Sequence, residues 1–282
     1  MTKGRDPRNR LNDLSGAAWV HFLNSVDVTH YPTRGPESYG HDLRRVHPSP
    51  KPPQLMARYI EFFTRRGGWV LDPFAGVGGT LLGCGLLARQ GRERYAVGIE
   101  LSPQYVEIYH QVCQREGLPP QTMICGDARD LLRFPAVTER TFDLILTDPP
   151  YADMMARPRS GEQRKREGHT MPRPFSDSEA DLGNLDRETF LDTLQRILAD
   201  ALTRLRPKGH LVVFCKDLQP TETEHNMLHV YITERLMAIP GLRFRGYKIW
   251  ADQVQRLYPF GYPYTFVANQ LHQFALIFRK EH

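Results

Sequence analysis

The apolar positions fall into short runs separated by longer amphipathic stretches, and this alternation predicts the order of the elements. Short apolar runs bounded by turn residues are typical of buried parallel strands, and they occur at residues 69–71, 95–99, 122–125, 144–146 and 210–215. Stretches with helical spacing lie between them, at residues 79–87, 103–115 and 190–205. Alternating strands and helices predict an α/β fold with a parallel sheet and helices on both faces.

The two ends of the chain extend this pattern. Residues 17–26 predict a short helix, and residues 27–53, rich in Pro, Gly, His and Tyr, read as an extended connector. Near the other end, residues 244–250 and 273–278 predict two closing strands. The aromatic stretch between them, residues 258–264 (YPFGYPY), is interpreted as core packing in preference to a base-stacking surface.

Composition places the chain in the ordinary globular class. Its 282 residues are 40% hydrophobic and 24% charged, without an apolar run long enough to span a bilayer, so we expect a cytoplasmic protein with no membrane contact. The four cysteines are widely spaced, which argues against disulfides and structural zinc. The eleven histidines show no metal-ligand spacing, so no metal site is predicted.

Positive charge is concentrated in one segment. The net charge is only +5, but residues 153–173 contain six basic residues and only three acidic ones. A basic loop of this kind suits a polyanionic substrate, and a solvated loop is the alternative. The candidate substrate-binding residues are Arg157, Arg159, Arg164, Lys165 and Arg166.

The residues Thr147 to Tyr151 (TDPPY) follow the fourth predicted strand directly. In open α/β sheets, ligands bind at the carboxyl ends of the strands. The prolines donate no N–H, so this edge offers one carboxylate, backbone carbonyls and an aromatic ring. Such a group of acceptors suits a planar ligand that carries an amino group, although a simple Pro-Pro turn with a core tyrosine has the same sequence.

A glycine-rich turn at residues 71–80 (LDPFAGVGGT) follows the first strand and opens a helix. It lacks the spacing of a dinucleotide fingerprint or a P-loop, so its ligand need not carry a pyrophosphate. Glu100 ends the next strand, where an acid binds a ribose diol, and Asp127 follows the third, where it could accept from an adenine amino group.

These motifs together resemble the S-adenosylmethionine-dependent amino-methyltransferases, chiefly the bacterial DNA adenine-N6 and cytosine-N4 enzymes. DPFAGVGGT is similar to their cofactor motif, GIEL and GDARD to the segments with the ribose-binding and adenine-contacting acids, and DPPY to their catalytic tetrad. Residues 47–55 (HPSPKPPQL) resemble the segment that closes over the methionine end of the cofactor. The resemblance covers about residues 45–280.

The resemblance implies a Rossmann-like, seven-stranded class I methyltransferase sheet, mostly parallel with an antiparallel closing strand. It implies an N-terminal extension at residues 1–45, a catalytic domain at 46–282 and a basic substrate-recognition insertion at about 152–186. The implied catalytic residues are Asp148, Pro149, Pro150 and Tyr151. The implied S-adenosylmethionine-binding residues are Lys51, Asp72, Phe74, Ala75, Gly76, Gly78, Thr80, Glu100, Leu101, Asp127 and Ala128.

The function implied by the resemblance is methyl transfer to the exocyclic amine of a flipped base in double-stranded DNA at a short site. Adenine-N6 is favoured over cytosine-N4, while dimerisation and pairing with a restriction enzyme stay open. The alternative is an RNA guanine-N2 or adenine-N6 methyltransferase, but these usually carry an RNA-binding domain for which residues 1–45 are too short. A binding module without activity is disfavoured because the motif residues are intact.

Overall fold

Eight strands form one sheet in the computed structural model, which describes residues 4–151, 180–217, 219–220, 225–253, 257, 259 and 262–282. The strands are β1 (Val26–Thr29), β2 (Trp69–Asp72), β3 (Tyr95–Glu100), β4 (Thr122–Cys125), β5 (Phe142–Thr147), β6 (Leu205–Cys215), β7 (Leu242–Asp252) and β8 (Gln273–Lys280). Their order is β1-β7-β8-β6-β5-β2-β3-β4. Only β8 runs antiparallel to its neighbours among these strands, which confirms the predicted mostly parallel sheet with an antiparallel closing strand.

The eighth strand is an addition to the predicted seven. β1 pairs in parallel with β7, from Val26 opposite Ile249 to Thr29 opposite Asp252. Its first residue, Val26, was assigned to the predicted helix, which ends at Phe22, and its other three residues lie in the predicted connector. The strand was not predicted because only one of its four residues is buried and no apolar run marks it. The division of the chain at residue 45 stays a prediction.

Helices cover both faces of the sheet. In the described ranges they are α1 (Gly16–Phe22), α2 (His41–Arg44), α3 (Pro53–Phe63), α4 (Gly79–Arg89), α5 (Pro103–Glu116), α6 (Pro135–Thr138), α7 (Arg187–Thr203) and α8 (Leu228–Met237), with 3-10 turns at Pro36–Ser38, Ala128–Arg133 and Leu182–Asn184. None of the helices in the described ranges is long and apolar enough to cross a membrane.

Each face of the sheet has its own hydrophobic core. Residues of α7 and α8 pack on one face and residues of α3, α4 and α5 pack on the other. In β5, Ile145 belongs to the first core and Leu144 and Leu146 to the second, and all three are fully buried. A strand covered on both faces must be apolar throughout, which explains the continuous run that predicted it.

The parallel strands place their carboxyl ends along one edge of the sheet. The predicted site residues follow these ends: Asp72 closes β2, Glu100 closes β3, and Asp148 comes directly after β5. The loop from β7 to β8 emerges at the same edge, because β8 runs in the opposite direction. This edge is therefore where the candidate site forms.

Candidate active site

Asp72 holds the glycine-rich turn in place. Its buried carboxylate accepts hydrogen bonds from the hydroxyls of Thr80 at 2.6 Å and Thr147 at 2.7 Å, and from the Phe74 N–H at 3.1 Å. Burial raises the pKa of Asp72 to about 6, although these three hydrogen bonds oppose the rise. The carboxylate thus joins β2, β5 and α4, and most of its acceptor capacity is used inside the protein.

The turn itself needs glycine at two positions. Gly76 has φ 52° and Gly78 has φ 80°, which is the left-handed region that side chains disfavour. A Cβ on Gly78 would lie 2.3 Å from Cδ2 of Tyr109, and one on Gly76 would lie 3.2 Å from Nε2 of His47. The backbone therefore passes between two rings, with Gly76 facing the cavity and Gly78 packed against α5.

Glu100 contacts this turn from the end of β3. One carboxylate oxygen accepts from the Gly76 N–H and the other from the Ser102 N–H, both at 2.8 Å. Burial raises the pKa of Glu100 to about 7, with the two hydrogen bonds acting in the opposite direction. Each oxygen keeps a lone pair, so the side chain is fixed in position and still able to accept from a ligand.

Asp127 begins the 3-10 turn after β4. Its carboxylate accepts from the Arg129 N–H at 2.9 Å and pairs with the Arg129 guanidinium at 2.5 Å. Burial alone would raise the pKa of Asp127, but these contacts with Arg129 outweigh it and lower the pKa below its ordinary value. Asp127 is therefore anionic at neutral pH and lies at the rim of the sheet edge.

The Asp148 carboxylate is held from both sides. The Tyr151 hydroxyl donates to Oδ1 at 2.7 Å, and the Lys51 ammonium forms an ion pair with Oδ2. Burial keeps the pKa of Tyr151 well above its ordinary value, so its hydroxyl stays a neutral donor. The Lys51 carbonyl in turn accepts from Arg44, whose side chain is buried.

One cavity connects these groups. Its empty volume is about 720 Å³, part of it open to solvent, which is the size range of small-molecule sites. The predicted site residues in its lining are Phe74, Gly76, Glu100, Leu101, Asp127, Ala128, Asp148, Pro149, Pro150 and Tyr151. A smaller adjoining cavity is lined by the predicted residues Lys51, Asp72, Ala75 and Thr80 and shares Phe74, Gly76 and Asp148 with the first.

The remaining predicted residues lie outside the lining of the two cavities or outside the described part of the chain. Gly78 packs against Tyr109 and lines neither cavity. The basic residues Arg157, Arg159, Arg164, Lys165 and Arg166 lie outside the described residues, as does most of the predicted insertion. Within the described ranges, no three His, Cys, Asp or Glu side chains are grouped so that they could hold a metal ion.

Several cavity residues had no individual sequence prediction. His47 stacks edge-to-face on Tyr105 with ring centroids 5.1 Å apart, and both rings line the main cavity. Burial, with the nearby charges of Lys51 and Arg44, lowers the pKa of His47 to about 3, so the ring is neutral. Asp181 and Leu182 join the lining from a loop far along the chain, and no local motif marks them.

Sequence comparison relates the chain to amino-methyltransferases. A family model described as "DNA methylase", of the N6/N4 type, matches residues 11–111. A tRNA (guanine(10)-N2)-dimethyltransferase from Methanothermobacter thermautotrophicus is 34% identical over 87 residues, which is 31% of this chain and 23% of that protein. The enzyme of the same name from Pyrococcus abyssi is 33% identical over 106 residues, 38% of this chain and 30% of that protein. The chain thus spans less than a third of these relatives.

Structural comparison bears on the fold. NSun6 from Pyrococcus horikoshii, solved with SFG, superposes with a TM-score of 0.52 at 18% identity, covering 83% of this chain and 53% of that one. The fold is that of a class I S-adenosylmethionine-dependent methyltransferase. S-adenosylmethionine is the cofactor that this fold and the matched family indicate, as predicted. The class I methyltransferase fold also accounts for the cavity position, at the carboxyl ends of β2 to β5.

Proposed function

We propose that this protein transfers a methyl group from S-adenosylmethionine to the exocyclic amine of a base in RNA, with guanine-N2 as the first amine to test and adenine-N6 as the second. The observation that carries the proposal is the position of Asp148. Its carboxylate lines the same cavity as Glu100 and Asp127, so an amine acceptor and a nucleoside-binding edge meet in one space. A methyltransferase of this kind needs both, because the acceptor holds the substrate amine and the nucleoside-binding edge holds the methyl donor.

The residues of the cavity fit the cofactor. Glu100 is fixed by two backbone N–H groups and keeps lone pairs for a ribose diol. Ile99, Leu101 and Ala128 supply apolar walls for an adenine ring, and Asp127 lies beside them as an acceptor for its amino group. When bound, S-adenosylmethionine supplies an electrophilic methyl group on a sulfonium.

The tetrad supplies acceptors to the substrate amine. The lone pair of an exocyclic amine is delocalised into its base, and acceptors on its hydrogens localise that pair on nitrogen. Asp148 and the Pro149 carbonyl would accept these hydrogen bonds, because neither proline offers a competing N–H. Lys51 pairs with one oxygen of the carboxylate and Tyr151 donates to the other, so the acceptor is pre-positioned before the substrate arrives.

The RNA substrate replaces the DNA substrate expected from the motifs. Two relatives of this chain are named as tRNA guanine-N2 enzymes, and this supports the RNA alternative over the DNA one. A base in either nucleic acid must leave its stack to reach a cavity of this kind. DNA remains the second candidate because the matched family is described as "DNA methylase".

Tritium transfer tests the substrate directly. The full chain is incubated with methyl-labelled S-adenosylmethionine and either unmodified tRNA, single-stranded RNA, or double-stranded DNA. We expect label in RNA, released as N2-methylguanosine after nuclease digestion. Label in DNA alone would overturn the RNA proposal and restore the DNA candidate, while label in neither would contradict the transferase activity.

Cofactor affinity should depend on pH through Glu100. Its pKa is raised to about 7, so the carboxylate becomes the neutral acid as pH falls through 7 and loses acceptor capacity for a ribose diol. We expect the Kd for S-adenosylmethionine to be constant above pH 8 and to rise by up to about tenfold per unit below pH 7. Isothermal titration calorimetry between pH 5.5 and 8.5 measures this.

The control for this profile is Glu100→Gln. The amide does not titrate, so the variant should bind weakly at every pH with a flat profile between pH 7 and 8.5. Any slope it retains near pH 6 belongs to Asp72, whose pKa is about 6. A wild-type profile that is flat through pH 7 would contradict the assignment of Glu100.

A further inference from the structure

The loop between β7 and β8 exposes three aromatic rings. Tyr262, Tyr264 and Phe266 are 79%, 93% and 87% exposed. The core packing predicted for residues 258–264 is therefore wrong for Tyr262 and Tyr264, and Tyr258 lies outside the described residues. Aromatic side chains normally bury most of their surface, so three exposed rings within five residues indicate a surface that meets a partner.

The loop leaves the sheet at the edge that carries the tetrad. β8 lies next to β6 and β6 lies next to β5, whose end leads into Asp148. Two strand spacings of ~4.8 Å separate β8 from β5, and β8 starts three residues beyond the level of Thr147, because Thr147 is opposite Val213 and Val213 is opposite Leu276. A strand of nucleic acid that delivers one base to Asp148 would therefore pass close to this loop.

The charges around the loop favour a polyanion. From Gln253 to His272 the sequence contains no Asp or Glu, and it contains Arg256 and His272. The two acids at the neighbouring strand ends each face a histidine: Asp217 lies 2.6 Å from His229, and Asp252 lies 3.7 Å from His30. The segment that carries the exposed rings therefore has no carboxylate of its own to repel a phosphate backbone.

We propose that Tyr262, Tyr264 and Phe266 form a stacking surface for unpaired nucleotides that flank the target base. The proposal rests on the proposed function and names how its substrate is held. Exposed rings stack on any base, because every base presents a π-face, and this gives affinity without a sequence code. A protein partner would also use the apolar area of the rings. The absence of acidic residues, however, favours a polyanion and not a protein.

The test removes aromatic rings from the protein and, separately, the bases from the RNA. The full chain and its Tyr264→Ala/Phe266→Ala variant are titrated into a fluorescein-labelled 12-nucleotide single-stranded RNA at fixed salt, with anisotropy as the readout. We expect binding to weaken roughly tenfold or more per ring removed. An abasic strand of equal length keeps the phosphates, and we expect the wild-type chain to bind it as weakly as the variant binds the normal strand.

The matched control is Leu257→Ala, which removes a side chain 74% exposed in the same loop that has no π-face. Equal affinity of the double variant and the wild-type chain would overturn the proposal. A loss in Leu257→Ala as large as in the double variant would also overturn it, because RNA affinity would then not depend on a π-face. The assay needs no methyl transfer, so failure of the proposed function is seen separately, as absence of label in RNA.

Discussion

Replacing Asp148 with alanine should reduce kcat for methyl transfer by at least roughly 10²- to 10³-fold, the loss typical when one positioned polar group is removed from a reacting centre. The reason is that, in the proposed function, the Asp148 carboxylate accepts from the substrate amine, and Lys51 and Tyr151 hold it in position. S-adenosylmethionine affinity, measured by calorimetry, should stay within a few-fold of the wild-type value. Near-normal transfer by this variant would contradict the role assigned to Asp148.

Two further variants separate chemistry from folding. Removing Asp148 leaves the Lys51 ammonium, which is 5% exposed, without this partner, and an unpaired buried charge is strongly destabilising. The double variant Asp148→Ala/Lys51→Met removes both charges and should regain thermal stability while staying inactive. Asp148→Asn keeps one acceptor oxygen and should retain part of the activity. Recovery of activity in the double variant would mean that only folding had been lost.

Replacing Gly78 with alanine should lower the free energy of unfolding by about 2–5 kcal/mol. The new Cβ would lie 2.3 Å from Cδ2 of the Tyr109 ring, and overpacking of this kind costs roughly 1–3 kcal/mol. The residue would also have to keep φ at 80°, and the left-handed conformation costs a side chain about 1–2 kcal/mol more. Urea denaturation followed by circular dichroism measures the change.

Gly67→Ala is the matched control for the contact with Tyr109. Gly67 has φ 77°, almost the same backbone conformation, but a Cβ there meets no atom within 4 Å. It should therefore lose only the conformational cost, about 1–2 kcal/mol. If the two alanine variants were equally stable, the clash with Tyr109 would be relieved by movement of α5, and the close approach would not require glycine.

The parallel part of the fold was predictable because burial on both faces leaves a direct trace in the sequence. Leu144, Ile145 and Leu146 are apolar without interruption, and the Pro149-Pro150 pair marks the point where the strand must have ended. β1 left no such trace. Its only buried residue is Asp27, whose partner Lys248 is 221 positions away, so no local pattern could reveal the pairing.

In the candidate site, the residues at strand ends were predictable from the sequence, and the residues placed by loops were not. Glu100 and Asp148 follow strand ends, and parallel strands bring such positions to one edge whatever the rest of the chain does. The ion pair between Lys51 and Asp148 joins residues 97 positions apart and depends on the path of the segment before α3. Asp181 and the exposed ring of Tyr264 depend in the same way on loop paths, which hydrophobic periodicity does not encode.

The eighth strand also bears on how assembly of this protein should be studied. Without β1, the backbone N–H and C=O groups on the outer side of residues 249–252 of β7 would have no strand partner, and such an edge pairs readily with another chain. The buried Lys248 ammonium would lose Asp27 and the carbonyls of Phe22 and Asn24 at the same time. A fragment that begins at residue 46 would therefore tend to associate through β7. A dimer of that fragment would report on the exposed edge and not on the subunit state of the full chain.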